Sequence, residues 1–280
     1  MAFYLLDKNV VEDVKLSLKG VPTKGAAVAR TIDRKGNIVS PLLSILEGSA
    51  RRAQSGPELH DQLMADSLAV GMFYRLATTD SEYLQTLSAT TVAALAPHVR
   101  EKTSALAPLA MKLQALVVQQ RKWIEAREVL LKIDSLANEH EVNLSHPLVT
   151  CAVACLYGSA SARGVLKPAV SPTVEGAYNA VADIRYVMET AYIRKLRNES
   201  GVRENVLLLS SDKNLRDFSK LLQLRVDMSL TTNKAGPEIV TFTATMSENL
   251  LPNLRTLPKE MQRAINYLRT SRETSKFILA

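Results

Sequence analysis

The stretch VLLLSSDKNLRDF, residues Val206–Phe218, decides the fold class. Its first four residues, Val206–Leu209, are all apolar, which predicts a strand that is buried on both faces. Such strands are typical of parallel sheets covered by helices on both sides. The strand is followed by Ser210, Ser211 and Asp212, and a helix is predicted to begin at once. Asp212 therefore either caps that helix or lies where open α/β sheets bind their ligands, beyond the carboxyl end of a strand.

The beginning of the chain repeats this arrangement. Phe3–Leu6 is predicted to form a strand, Asp7 follows it, and a helix is expected from about residue 9 to residue 18. After a turn and a second short strand, Ser40–Pro41 opens another helix, because serine is a favoured N-cap and proline suits the first helical position. Glu47 lies on that helix. Strands at both ends of the chain, with helices between them, predict an α/β fold with a mostly parallel central sheet.

The composition is that of a soluble globular protein and indicates the class of partner. The chain has 280 residues, 46% hydrophobic and 22% charged, with two cysteines, Cys151 and Cys155, at helical spacing. Because no secretory signal is present, we expect a reducing cytoplasm in which both cysteines are buried thiols. Because no apolar run is long enough to span a bilayer, we expect no membrane partner. The net charge of +7 mildly favours a polyanionic partner.

The middle of the chain differs from its ends in composition and in hydrophobic periodicity. Residues 51–165 are predicted to form a large all-helical insertion, with turns near Thr79–Asp80, Pro97 and Pro108. The α/β core is expected to comprise residues 1–50 and 166–250. Within it, the alternating segment at residues 237–247 is predicted to be an edge strand. The last segment, 251–280, is predicted to carry a basic amphipathic helix that fits either nucleic acid binding or a homo-oligomer contact.

Four acids could meet at the carboxyl edge of the predicted sheet. If the first and later strands are parallel neighbours, Asp7 and Asp212 project at the same edge, and Glu47 and Asp183 lie on helices that could reach it. Each acid also has a structural interpretation, as a helix cap or a solvated helix residue. Several carboxylates at one point stay ionised only when a cation neutralises them, and an all-oxygen set suits Mg²⁺ or Mn²⁺.

The four acids lie in four segments, in the order FYLLDKNVV, PLLSILEG, AYNAVADIRYVMETA and VLLLSSDKNLRDF. The order of these segments resembles that of the PIN-domain nucleases. The resemblance covers about residues 1–50 and 170–225 and implies a PIN-like sheet in which Asp7, Glu47, Asp183 and Asp212 hold the divalent metal and act as catalytic residues. The span between Glu47 and Asp183 is longer than a compact PIN domain needs, so Asp61, Asp66 or Glu175 could replace Glu47.

The resemblance implies an endoribonuclease in which metal-activated water attacks a phosphodiester. RNA is favoured over DNA as substrate, and a regulatory or antitoxin protein is an expected partner. The residues expected to bind nucleic acid are polar or basic and flank the predicted ligands: Lys8, Asn9, Arg51, Arg52, Arg185, Ser210, Ser211, Lys213 and Arg216. Two alternatives stay open, a PIN-like adaptor that has lost its metal and binds a protein through its helical section, and a structure-specific DNA nuclease.

Overall fold

The computed structural model describes residues 1–51, 56–86, 89–121, 123–202, 204–229, 238–246, 250–252 and 277–279. The chain forms two compact units: Met1–Thr103 with Tyr192–Lys213, and Ser104–Ala191 with Asn214–Ala280. Helices are numbered α1 to α11 and strands β1 to β7 along the chain. The first unit contains a parallel sheet and the second an antiparallel one, so the α/β fold class is confirmed.

The first unit is built on a four-stranded parallel sheet of order β3-β2-β1-β4. Its strands are β1 (Ala2–Leu6), β2 (Ile38–Ser40), β3 (Thr78–Thr79) and β4 (Asn205–Leu209). The predicted strand pair is therefore confirmed, because β1 lies beside β4 and parallel to it, with Leu6 paired to Leu209. The short β3 lies inside the segment expected to be all-helical, so that expectation is wrong at residues 78–79.

Five helices of this unit connect the first three strands or follow β3. They are α1 (Lys8–Leu18), α2 (Lys24–Arg30), α3 (Leu42–Arg51), α4 (Gly56–Phe73) and α5 (Ser81–Thr86). Residues of α1, α2 and α4 form one buried core with the sheet residues Leu6, Val39 and Leu209. This apolar face fixes the sheet, so the polar residues at the strand ends occupy defined positions.

Close packing of α1 against α2 requires a glycine. The Gly25 N–H donates a 2.7 Å hydrogen bond to Asp13 Oδ2, and a Cβ built at Gly25 would lie 2.2 Å from that same oxygen. The Asp13 carboxylate thus holds the first turn of α2, where backbone N–H groups lack helical partners.

The second unit contains most of the remaining helices. The helical elements are α6 (Ala89–Leu116), α7 (Trp123–Glu139), α8 (Pro147–Leu156), α9 (Ala160–Leu166), α10 (Val174–Glu199) and α11 (Lys213–Leu221); the unit boundaries fall within α6, α10 and α11. The expected turns near Pro97 and Pro108 are wrong, because α6 continues through both prolines. All ten residues of α8 are buried, including Cys151 and Cys155, which are free thiols as predicted.

A three-stranded antiparallel sheet of order β5-β6-β7 completes the second unit. Its strands are β5 (Leu222–Ser229), β6 (Glu238–Met246) and β7 (Phe277–Leu279). The predicted edge strand is β6, which is instead central, because β5 and β7 pair with it on either side. The expected tail helix does not include residues 277–279, and residues 253–276 lie outside the described part of the chain.

Candidate functional site at the carboxyl edge of the parallel sheet

Four polar residues follow or end the four parallel strands and share one face of the sheet. Ser40 is paired with Leu5, and Leu6 is paired with Leu209. Side chains alternate between faces along a strand, so Asp7 lies on the same face as Leu5. Continuing the registers places Ser40, Asp80 and Ser210 on this face as well. We call the set Asp80, Ser40, Asp7 and Ser210 the carboxyl-edge row.

Asp7 is held rigidly at the centre of this row. Its side chain is buried, with 2% exposure, and Oδ1 accepts a 2.7 Å hydrogen bond from the Val10 N–H. Its own N–H donates to the Leu209 carbonyl oxygen at 3.0 Å. The helix-cap interpretation of Asp7 is therefore confirmed. A carboxylate that accepts a backbone N–H at a helix N-terminus is stabilised in its ionised form.

Asp212 lies beyond the neighbouring strand, at the same edge. The Asp212 N–H donates a 3.0 Å hydrogen bond to Ser210 Oγ, and Ser210 is fully buried. Helix α11 begins at the next residue, Lys213. The two serines therefore form a tight turn that leads from the buried strand into the helix. Because β1 and β4 are parallel neighbours, Asp7 and Asp212 follow adjacent strand ends.

Asp80 is a member of the row that sequence reasoning did not identify as a site residue. Ser40 Oγ accepts from the Leu42 N–H at 3.2 Å, and the Ser40 side chain also forms a hydrogen bond with the Asp80 carboxyl. Burial raises the pKa of Asp80 to about 6, although Ser40, its own N–H and the charge of Arg197 act in the opposite direction. Asp80 Oδ1 is buried and has no hydrogen-bond partner among the described residues.

The position of Asp80 could have been found only by treating Thr78–Thr79 as a strand. Two residues are too few to show the period-two alternation on which strand prediction depends. For that reason the Thr-Thr-Asp sequence predicts a turn between helices. The pairing of β3 with β2 places Asp80 at the sheet edge.

Asp66, one of the alternatives to Glu47, lies in a buried ion-pair network. Ser44 Oγ donates to Asp66 Oδ2 at 2.9 Å, Lys8 Nζ lies 3.6 Å from the same oxygen, and Lys15 Nζ contacts Oδ1. Burial alone would lower the pKa of Lys15, but Asp66 and Glu12 raise it above its ordinary value. Asp66 has 0% side-chain exposure and joins α1, α3 and α4, so we assign it a structural ion-pair role.

The other predicted metal ligands are distributed over both units. Glu47 lies on α3, but its side chain is outside the described part of the structure. Asp183 belongs to the second unit, where it forms an ion pair of 3.4 Å with Lys167. Of the remaining alternatives, Asp61 and Glu175 are exposed. Among the residues that the structure describes, no three His, Cys, Asp or Glu side chains are grouped as a metal site.

Two of the predicted nucleic-acid-binding residues form internal ion pairs. Lys8 contacts Glu12 at 3.0 Å in addition to Asp66, and Arg185 contacts Glu189 at 3.0 Å. The others differ in exposure: Asn9 and Lys213 are exposed, Ser211 and Arg216 are half-buried, Ser210 is buried, the side chain of Arg51 is outside the described set, and Arg52 is outside it altogether.

Comparisons with models of protein families, with curated proteins and with solved structures found no match to this chain. The PIN-like interpretation therefore rests on the residue pattern. Within the described ranges, no helix is both long and apolar enough to cross a membrane.

Proposed function

We propose that the protein is a Mg²⁺- or Mn²⁺-dependent endonuclease, and specifically an endoribonuclease, whose site is the carboxyl edge of the parallel sheet. One observation carries the proposal: β1 and β4 are parallel neighbours, so Asp7 and the Ser210–Asp212 turn follow adjacent strand ends. Open α/β sheets bind their ligands at this end of the strands. The chain order of the acids, which resembles that of PIN-domain nucleases, supports the same assignment.

The donor atoms at this edge fit a hard divalent cation. They are carboxylate and hydroxyl oxygens, which Mg²⁺ and Mn²⁺ prefer. Burial raises the pKa of Asp80 and leaves one of its oxygens without a hydrogen-bond partner among the described residues, and a nearby cation would favour its ionised form. Asp7 and Asp212 would hold the ion, with Glu47 of the same unit as a further ligand that the resemblance implies.

The bound ion would polarise water and neutralise charge on the phosphate oxygens. The chain itself contributes the preorganised position of its ligands. The Val10 N–H fixes the Asp7 carboxylate, and the hydrogen bond between the Asp212 N–H and Ser210 Oγ fixes the turn that carries Asp212. Groups held in this way need little reorganisation when substrate binds. A regulatory or antitoxin protein and a second copy of the chain are further proposed partners.

A second candidate is a PIN-like adaptor without catalytic activity. The observation that favours it is that the described residues include no group of three His, Cys, Asp or Glu side chains that could hold a metal ion. A structure-specific DNA nuclease would use the same carboxyl edge as the endoribonuclease and differ only in substrate.

Asp7→Asn and Asp212→Asn test the proposal, because asparagine keeps the size of aspartate without its charge. At Asp7 it also keeps the cap of α1, since asparagine is as good a helix N-cap as aspartate. Asp61→Asn, which changes an exposed acid on α4, is the matched control. We expect the native protein and the control to cleave labelled single-stranded RNA with added Mn²⁺, and both site variants to lose cleavage while their circular dichroism is unchanged.

Mn²⁺ titration by calorimetry provides a readout that does not depend on cleavage. We expect both site variants to bind Mn²⁺ at least tenfold more weakly than the control. If the native protein neither binds Mn²⁺ nor cleaves single-stranded RNA, single-stranded DNA or a DNA flap, the nuclease proposal is refuted and the adaptor is favoured. Cleavage of the flap alone would instead identify the DNA nuclease.

A further inference from the structure

Basic residues are concentrated at the two ends of α2, and none of them is among the residues for which the sequence pattern predicts nucleic acid contacts. Residues 19–36 contain five basic residues and one acidic residue, a formal net charge of +4, against +7 for the whole chain. All five basic residues are exposed; besides Arg30, the other four are Lys19, Lys24, Arg34 and Lys35. We call these four residues the α2 basic surface.

The carboxylates of this region accept hydrogen bonds from backbone N–H groups. Asp13 Oδ2 accepts from the Gly25 N–H. The Asp33 carboxylate accepts from the N–H groups of residues 75–77 at 2.8 to 3.1 Å and lies 3.5 Å from Arg30. Its side chain is only 9% exposed. The negative charges therefore face inward.

The cations of the α2 basic surface are not compensated in the same way. In the described part of the chain, no ion pair involves any of the four residues. Arg30, by contrast, lies over the Phe73 ring at 3.6 Å and donates to the Phe73 carbonyl oxygen, so it holds α2 against α4. Arg30 thus anchors the helix, whereas the four surface cations are available to an anionic partner.

The shape of the surface between these cations suits a polymer backbone. Lys24 and Ala27 of α2 and its C-cap residue Thr31 are exposed and lie three and four residues apart, so they share one helical face. Small side chains therefore separate Lys24 from the turn at Arg34 and Lys35. The seven residues of α2 span roughly 10 Å, about the axial rise of three nucleotides of a strand.

We propose that the α2 basic surface binds the phosphate backbone of a nucleic acid. Bilayer binding buries large apolar side chains. Leu18 and Val21 beside Lys19 are 40% and 46% exposed, but the exposed uncharged positions between Lys24 and Arg34 are Ala27 and Thr31, so a membrane partner is less well matched than a nucleic acid. The proposal rests on the proposed function in one respect, that nucleic acid is the substrate class. It adds a binding surface that includes none of the carboxyl-edge residues and that would hold substrate independently of the metal.

The test compares two full-length variants with the same loss of charge. The surface variant carries Lys19→Ala, Lys24→Ala, Arg34→Ala and Lys35→Ala. The control variant carries Arg127→Ala, Lys132→Ala, Lys220→Ala and Arg225→Ala, all at exposed positions of the second unit. Binding of a fluorescent single-stranded RNA 20-mer is measured in EDTA, so that metal binding and cleavage do not contribute.

We expect the surface variant to bind the RNA at least tenfold more weakly at 0.1 M salt than the control variant does. The slope of log K against log salt should fall by about 2 to 3, since each lost phosphate contact on a single strand removes about 0.7. A variant that replaces Lys19, Lys24 and Lys35 by arginine should retain native affinity, because the charge is kept.

Three results would overturn the proposal. They are an equal loss in both alanine variants, an unchanged affinity in the surface variant, and binding of the native protein to phosphatidylserine vesicles in the absence of RNA binding. Loss of Mn²⁺-dependent cleavage in the carboxyl-edge variants is measured separately. If the surface variant alone loses RNA binding in EDTA, while the native protein neither binds Mn²⁺ nor cleaves RNA or DNA, the nuclease proposal is refuted and the α2 basic surface stands.

Discussion

Replacing Asp66 by asparagine removes the central acid of a buried charge network and keeps the size of the side chain. Asp66 has 0% side-chain exposure, whereas its partners Lys8 and Lys15 are 18% and 23% exposed. Removing one partner of a buried ion pair typically costs about 3–5 kcal/mol. Because water still reaches both lysines, and because Glu12 still pairs with them, we expect a loss of about 2–3 kcal/mol in the free energy of unfolding.

Thermal unfolding followed by circular dichroism measures this loss. A loss of this size should lower the Tm by roughly 5–12 °C for a unit of this length. Asp61→Asn, an exposed acid on the same helix, is the control and should shift the Tm by less than about 2 °C. The double variant Asp66→Asn with Lys15→Met should lose less than the two single variants together, because they share one interaction.

Two results would refute this reasoning. If Asp66→Asn is no less stable than Asp61→Asn, the network makes no net contribution to stability. If Asp66→Asn keeps its stability but loses Mn²⁺ binding, Asp66 is a metal ligand and the structural ion-pair role is wrong.

Two further predictions follow from pKa directions. Burial raises the pKa of Asp33, but the N–H groups of residues 75–77 and the charge of Arg30 lower it by more. The pKa of Asp33 is therefore below its ordinary value. Asp33→Asn should therefore destabilise the protein by about 1 kcal/mol at pH 7, and the difference in urea unfolding should vanish as the pH falls below about 4 through the folded pKa. The pKa shift of Asp80 has the opposite sign, because burial raises its pKa to about 6. The charge of Asp80 therefore lowers the free energy of unfolding above pH 6. Asp80→Asn should stabilise the protein by about 1–2 kcal/mol at pH 8 and not at pH 4, and an equal effect at both pH values would contradict the assigned pKa.

The sequence predicted the two strands on which the site depends because both are continuous apolar segments. The observed bounds of β1 and β4 differ by one residue from the predicted ones, and α1 spans Lys8–Leu18 where about residues 9–18 were predicted. Continuous apolar strands are typical of parallel sheets, so their parallel pairing also followed from the pattern. The carboxyl-edge position of Asp7 and Asp212 was therefore predictable.

The errors arose where tertiary packing outweighs local signals. Proline inside a helix costs about 3 kcal/mol, so Pro97 and Pro108 predicted turns. Leu109 and Leu113, both fully buried, lie on α6 just beyond the second proline, and burying each contributes about 1.5–3 kcal/mol. The second sheet was incomplete in the prediction because β5 follows α11 without a turn signal and carries Arg225, which forms an ion pair with Asp227.

Asp7 has two interpretations, helix cap and metal ligand, and the geometry of a parallel sheet makes them compatible. Each strand of such a sheet ends where the next helix begins, so a residue at that point lies beside helical N–H groups and at the ligand-binding edge. The Val10 N–H that Asp7 accepts favours the ionised carboxylate, which is the form that binds a cation. Capping therefore does not argue against catalysis at this position. Only a substitution that preserves the cap and removes the charge can separate the two roles, and asparagine does so.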